Sequence, residues 1–316
     1  MSVLAITGGV GGAKLSVGLT HLLNPNQLVF LVNTGDDFRH LGLHISPDLD
    51  TLIYSLAGVA CPKKGWGRRD ETWSFLKTLE DLGGPAWFQL GDKDLALHVY
   101  RTQLMSNGGS LTEATKEIAE ALDVTHSVLP CSDDPIATVV DTEDGQLSFQ
   151  HYFVKYQCRP QVKGIQYDGA DRARLNSSLD LATISMVVIC PSNPYLSVDP
   201  ILTIPDFRKF LQNSSIPVLA VSPIVQGRAL KGPTAKIMTE LGHTVNNKTI
   251  ARHYKEILTG LIVNDGDAVD CETIRDLGIE CVARNTVMHT LDDRVRLAQD
   301  TLDFGKALLS RKRCGR

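Results

Sequence analysis

Val3-Leu4-Ala5-Ile6-Thr7-Gly8-Gly9-Val10-Gly11-Gly12-Ala13-Lys14-Leu15 is the stretch that decides the fold. Its apolar start is a short strand. The glycines break that strand, and Leu15, Leu19, Leu22 and Leu23 then recur at helical spacing. A second apolar strand follows at 28–32, and strand signals return at 186–190, 217–221 and 258–263, with helical patterns between them. Fully apolar strands alternating with helices predict a parallel sheet covered on both faces. Ser110-Leu111-Thr112-Glu113 is a capping box, and Leu111, Ala114, Ile118 and Leu122 mark the buried face of the helix it opens. The segments 137–140 and 147–149 flank Glu143-Asp144-Gly145 and read as a hairpin. Together these features predict a single α/β domain over 1–316, Rossmann-like and doubly wound around a mainly parallel sheet. A mostly helical insertion at about 66–126 would form part of a lid.

Composition narrows the function. Hydrophobic residues make up 43% and charged residues 22% of the 316, the balance of a soluble globular enzyme. A net charge of −4 argues against a general nucleic-acid binder, which needs an excess of Lys and Arg. The one basic run, Arg311-Lys312-Arg313, reads as a solvated tail. The seven cysteines are odd in number and none are spaced as CxxC, so free thiols in a reducing cytosol are expected, without zinc or a disulfide framework. Neither a signal peptide nor a membrane helix is expected, because the apolar runs are too short.

Gly8, Gly9, Gly11 and Gly12 stand where strand becomes helix. Glycines there let backbone amides approach a phosphate at a helix N-terminus, and Lys14 adds a positive charge. The alternative is a tight turn that only packs well. Neither standard phosphate motif fits. In a dinucleotide fingerprint starting at Gly9 the third glycine position is Lys14, the second strand ends at Asn33 instead of an acid, and no register supplies a Walker loop. A nicotinamide oxidoreductase is therefore disfavoured.

Two acidic blocks follow: Asn33-Thr34-Gly35-Asp36-Asp37 directly after the second strand, and Ser46-Pro47-Asp48-Leu49-Asp50-Thr51 at a helix start. Ligands of open α/β sheets gather at the carboxyl ends of strands, which puts these carboxylates near the glycine turn. Carboxylates beside a phosphate loop call for a cation between them, and Mg²⁺ takes one or two carboxylates plus substrate phosphates. If Asp48 caps its helix, Asp50 is free to point elsewhere, and Asp36 and Asp50 are then the candidates to face such a cation.

Further blocks run in order along the chain: Gly65-Trp66-Gly67-Arg68-Arg69-Asp70-Glu71-Thr72-Trp73, Leu90-Gly91-Asp92-Lys93-Asp94-Leu95-Ala96, Ser132-Asp133-Asp134, Pro191-Ser192-Asn193-Pro194 and Ser222-Pro223-Ile224. With the glycine turn and both acidic blocks, this pattern resembles the 2-phospho-L-lactate transferase family of coenzyme F420 biosynthesis. The block from Gly65 to Thr72 looks closest to the bacterial, phosphoenolpyruvate-transferring branch. The resemblance implies a Mg²⁺-dependent transfer of a phospho-acid from its guanosine diphospho derivative to the ribityl hydroxyl of the deazaflavin Fo, with GMP leaving, in a cytoplasmic homodimer. It implies Asp36 and Asp50 as Mg²⁺ ligands, with Asp50 also near the Fo hydroxyl as ligand or as base. Gly8, Gly9, Gly11, Gly12, Lys14, Asp37, Ser192, Asn193 and Ser222 fall on the substrate side. Gln89 matches a position near Fo where a basic residue is usual, and Lys93 stands where Arg is usual. Trp66 is a candidate to stack on the deazaflavin or a core residue. Lys93 and Arg101 are candidate substrate contacts or salt-bridge partners, and His98 reads as a structural helix residue. The rival reading is a non-catalytic, nucleotide-sugar-binding regulator of the related gluconeogenesis-factor family. Such a protein would carry a Ser- and Gly-rich stretch after the acidic pair, where Phe38-Arg39-His40-Leu41-Gly42 stands here.

Overall fold

The computed structural model describes residues 2–314, and side chains up to Arg311. Seven strands form one sheet: β1 Val3–Thr7, β2 Leu28–Val32, β3 Ser127–Pro130, β4 Met186–Ile189, β5 Val218–Val221, β6 Gly260–Asn264 and β7 Glu280–Arg284. Their spatial order is 3-2-1-4-5-6-7 and every pairing is parallel. β1, β4, β5 and β6 are buried on both faces, which is why they read as unbroken apolar runs. Two apolar clusters, one on each face, make the core. Leu4, Ile6, Val187 and Ile189 point to one, and Val3, Ala5, Met186 and Val188 to the other.

Helix α1 (Gly9–Thr20) returns from β1 and packs on the final helix, Leu291–Cys314. Gly18 lets them touch, since a Cβ there would lie 2.1 Å from the Arg294 carbonyl oxygen. The β2-to-β3 crossover carries a short hairpin (Phe38–His40 with Leu43–Ile45), α2 (Pro47–Leu56), α3 (Ser74–Asp81), α4 (Asp92–Ser106) and α5 (Leu111–Ala121). Three helices thus fall within 66–126, joined by irregular segments, and α5 is opened by the Ser110/Glu113 capping box. The predicted hairpin forms as Ala137–Thr142 paired with Gly145–Ser148. A third strand, Val162–Asp168, completes a separate antiparallel sheet. That strand, β7 and the hairpin at 38–45 escaped sequence reading because they are only partly buried and so lack an unbroken apolar run, and β3 because it is only four residues long.

Among the described residues no helix is long and apolar enough to cross a membrane. The cysteines whose side chains are described are free thiols. Arg311 pairs with Glu280 across 3.3 Å, while the side chains of Lys312, Arg313 and Cys314 lie outside the described residues.

Candidate active site

Strand order reverses between β1 and β4, and in such sheets the ligand crevice opens at that point, outside the carboxyl ends of the strands. Four segments meet there: the glycine turn after β1, Asn33–Asp37 after β2, Pro191–Pro194 after β4 and Ser222 after β5.

The glycines are what allow them to meet. A Cβ on Gly11 would lie 2.3 Å from the Pro191 carbonyl oxygen. One on Gly12 would lie 2.3 Å from Thr7 Oγ1, and one on Gly8 2.6 Å from Asp48 Oδ2. These three glycines are thus accounted for by close packing of the chain on itself. Gly9 differs: its φ is +64°, a left-handed conformation that favours glycine, and the space beside it is nearly open. Its amide donates to Asp48 Oδ1 (2.7 Å), so a carboxylate already sits at the N-terminus of α1.

The acidic blocks converge differently from the expectation. Asp48 does not cap α2. Asn33 Nδ2 donates to Asp48 Oδ2 (3.0 Å) and holds the carboxylate against the glycine turn. Ser46, the N-cap residue, instead donates its hydroxyl to Asp37 Oδ2 (2.7 Å), which also accepts from His44 Nε2 (3.1 Å). Asp50 is not free. Arg101, wholly buried on α4, grips both of its oxygens, and Nη1 donates to Oδ2 at 3.0 Å. His98 stands beside this pair, 3.6 Å from Asp50 Oδ2 and 3.4 Å from Asp94 Oδ2, and Tyr54 donates to Asp94 Oδ1 (2.6 Å). The reading of His98 as a structural helix residue agrees with that setting. Arg101 pairs with a carboxylate instead of facing the crevice.

Asp36 and Asp48 carry the electrostatic burden. Burial, and for Asp36 the adjacent Asp48 charge, raise the Asp36 carboxyl well above the usual range. Burial pushes Asp48 up to about 6 despite its bonds from Asn33 and Gly9. Asp36 Oδ1 and Asp37 Oδ1 are buried without a hydrogen-bond partner. Orphaned acceptors on carboxylates destabilised by one another suit a bound cation. Among the described residues no three His, Cys, Asp or Glu side chains form a metal cage, so a cation here would need ligand oxygens as well, as Mg²⁺ usually does.

The remaining predicted residues divide. Ser192 donates to the Gly8 carbonyl oxygen (2.8 Å) and braces the turn. Asn193 Oδ1 caps the π-helical turn Pro194–Val198, but its Nδ2 is buried without a partner and is a free donor beside the crevice. Ser222 is buried, and its hydroxyl accepts from the Ile224 amide (3.1 Å). Lys14 donates to the Met288 carbonyl oxygen (2.7 Å), away from the turn's amides. Burial, Lys231 and Arg294 lower its pKa. The cations Lys231 and Arg294 had no signal in the sequence. Arg294 joins Lys14 because the final helix packs on α1, whereas Lys231 comes from the connection between β5 and β6. Trp66 is 42% exposed, not a core residue, with the Lys64 ammonium 4.6 Å from its ring. Its neighbour Gly65 lies against Val10 of the glycine turn and near Lys231. Gln89 is exposed and accepts weakly from Lys64 (3.5 Å), and Lys93 donates to the Asp70 carbonyl oxygen (2.8 Å).

Known proteins share this architecture and sequence. A crystal structure of a UPF0052-family protein from Bacillus halodurans superposes with a TM-score of 0.61 at 17% identity, covering 95% of this chain and 98% of that one, which is a likeness of fold. A 2-phospho-L-lactate transferase of Methanococcoides burtonii is 34% identical over 292 residues, 92% of this chain and 95% of that protein. A phosphoenolpyruvate transferase of Streptomyces griseus is 33% identical over 314 residues, 97% of this chain and 99% of that protein. The family model for 2-phospho-L-lactate transferase CofD matches residues 3–288, a span that takes in every segment of the crevice. The chain belongs to the 2-phospho-L-lactate transferase CofD family and is a transferase.

Proposed function

We propose that this protein acts in coenzyme F420 biosynthesis. It transfers the phospho-acid part of a guanosine diphospho-linked three-carbon acid to the ribityl hydroxyl of the deazaflavin Fo, giving F420-0 or its dehydro form and releasing GMP. The observation that carries this reading is the buried Asp36–Asp48 pair, with an orphaned oxygen, set against the N-terminus of α1 at the strand-order reversal. The cytoplasmic homodimer belongs to the same proposal.

Phosphoryl-type transfer depends on in-line positioning and on neutralising charge. Asp36 and Asp48 would hold Mg²⁺, which supplies charge neutralisation between the two carboxylates and the donor's diphosphate when bound. Asp50 is reassigned: its oxygens are taken by Arg101, so it fixes α4 against α2 and keeps the wall of the crevice in register. Asn193 Nδ2 and the backbone around Gly9 and Val10 bind the donor phosphates, and the Lys14, Lys231 and Arg294 charges draw the anion in. Asp37, held by Ser46 and His44, keeps Oδ1 available to orient the incoming hydroxyl.

The donor acid is the open half of the reaction, because relatives named for phospholactate and for phosphoenolpyruvate are almost equally similar. Offering the protein Fo, Mg²⁺ and an equal mixture of guanylylated phospholactate, phosphoenolpyruvate and phosphoglycerate settles it. One dominant charged deazaflavin, identified by mass, is expected. No charged deazaflavin from any donor would sink the proposal.

A further inference from the structure

A single peptide plane links Asn193 to a cluster of polar side chains that no step of the transfer uses. Asn193 Oδ1 accepts from the amides of Tyr195 (3.0 Å) and Leu196 (3.3 Å), which fixes the side chain whose Nδ2 is the free donor. Both amides belong to the buried π-helical turn Pro194–Val198, a rare, wide turn often found at functional sites. The Leu196 amide and the Tyr195 carbonyl are two ends of one planar peptide unit, so neither can turn without the other. That carbonyl oxygen accepts from Tyr167 Oη (2.7 Å). The next carbonyl oxygen, of Leu196, accepts from Asn33 Nδ2 (3.2 Å), the same group that holds Asp48.

Tyr167 stands on Val162–Asp168, the third strand of the antiparallel sheet. It lies opposite Thr138, whose amide donates to the Gly35 carbonyl oxygen (2.8 Å) beside Asp36. The Tyr167 hydroxyl also reaches Asp199 Oδ2 (3.2 Å), and Asp199 Oδ1 bonds His253 Nε2 (2.8 Å). His253 closes the helix Asn247–His253, and its ring meets that of Tyr195 edge on, with centroids 5.0 Å apart. Burial and the Asp199 charge raise the Tyr167 pKa, so the hydroxyl keeps the proton it donates. A strand, a helix start and a helix end thus converge on one side of the turn. A turn held for stability alone needs no tie to a particular peptide. Here the tie falls on the peptide whose other end anchors Asn193.

We infer that Tyr167, held by Asp199 and His253, is a positioning residue for the transfer: through the Tyr195–Leu196 peptide it fixes Asn193 Nδ2 to receive the donor's diphosphate. This rests on the proposed reading that Asn193 binds the donor phosphates. Tyr167 acts on the donor side only, and it acts through Asn193 without touching the donor itself.

Steady-state kinetics of the full chain, with the guanylylated donor and Fo varied separately, test the clamp. Tyr167→Phe keeps the ring and loses the hydroxyl. It is expected to raise the donor KM roughly 5-fold, the scale of one lost hydrogen bond, with kcat and the Fo KM unchanged. His253→Ala should act in the same direction, and His253→Gln, which keeps an N–H for Asp199, should restore the donor KM. Asn193→Ala raises the donor KM by itself, and in that background Tyr167→Phe should add nothing, because the group it positions is gone. A wild-type donor KM in Tyr167→Phe, a rise shared by Fo, or an effect that persists in Asn193→Ala overturns the inference and leaves the transferase reading standing. If Tyr167→Phe does not fold, the His253 pair decides, and equal donor KM values in His253→Ala and His253→Gln overturn it. A wild type that turns over no guanylylated donor overturns the inference and the transferase reading together.

Discussion

Asp48 and Asp50 are two positions apart in the first turn of α2 and end in opposite surroundings. Asp48 is raised to about 6 and Asp36 is raised beside it, so both bind protons more tightly in the folded than in the unfolded chain. The stability they confer is therefore full below the ordinary carboxylate range and is lost as pH rises through about 6. A divalent cation offsets that loss only where the pair is ionised. Mg²⁺ is thus expected to raise the melting temperature clearly near pH ~7.5 and much less near pH ~5, a difference that thermal melts at both values would show. Asp36→Asn should abolish the Mg²⁺-dependent shift. Asp50 is held by Arg101 instead, and removing that partner leaves a buried carboxylate alone. Arg101→Met is expected to cost about 3–5 kcal/mol in urea unfolding. The acidic blocks were plain in the sequence, but the difference in surroundings between Asp48 and Asp50 was not. It depends on Arg101, fifty-one positions after Asp50, and on the Gly9 amide, neither of which spacing reveals.

At the scale of elements, the strand–turn–helix unit at the start of the chain was legible because an apolar run, four glycines and a leucine pattern all agree. What the glycines do was legible only in part. Phosphate approach and close packing make the same demand for a missing Cβ, and in Gly8, Gly11 and Gly12 the demand comes from Asp48, Pro191 and Ser192. The same close approach recurs where α1 meets the final helix. Gly18→Ala would drive a methyl into the Arg294 backbone and is expected to destabilise by about 1–3 kcal/mol in chemical unfolding. Helix α5 was legible from its capping box and periodicity. How α3 and α4 are held was not. Glu71 accepts from the Lys93 and Asp94 amides at the start of α4, and Asp92 accepts from the Ser74 and Phe75 amides at the start of α3. Each helix is thus capped by a residue from outside its own turn, a pairing that local sequence does not announce.

Across the whole molecule, the 3-2-1-4-5-6-7 order gathers one crevice from segments spread between Gly8 and Ser222. The proposed function makes this crevice the seat of a transfer, not a hydrolysis: the acceptor hydroxyl must be seated before the donor's diphosphate breaks productively. The most direct test follows GMP release from the guanylylated donor with and without Fo. The account predicts that GMP appears only when Fo is present, one for one with the phosphodiester product, and that Asp36→Asn abolishes both. GMP released at an undiminished rate without Fo, or product formed undiminished by Asp36→Asn, would contradict it.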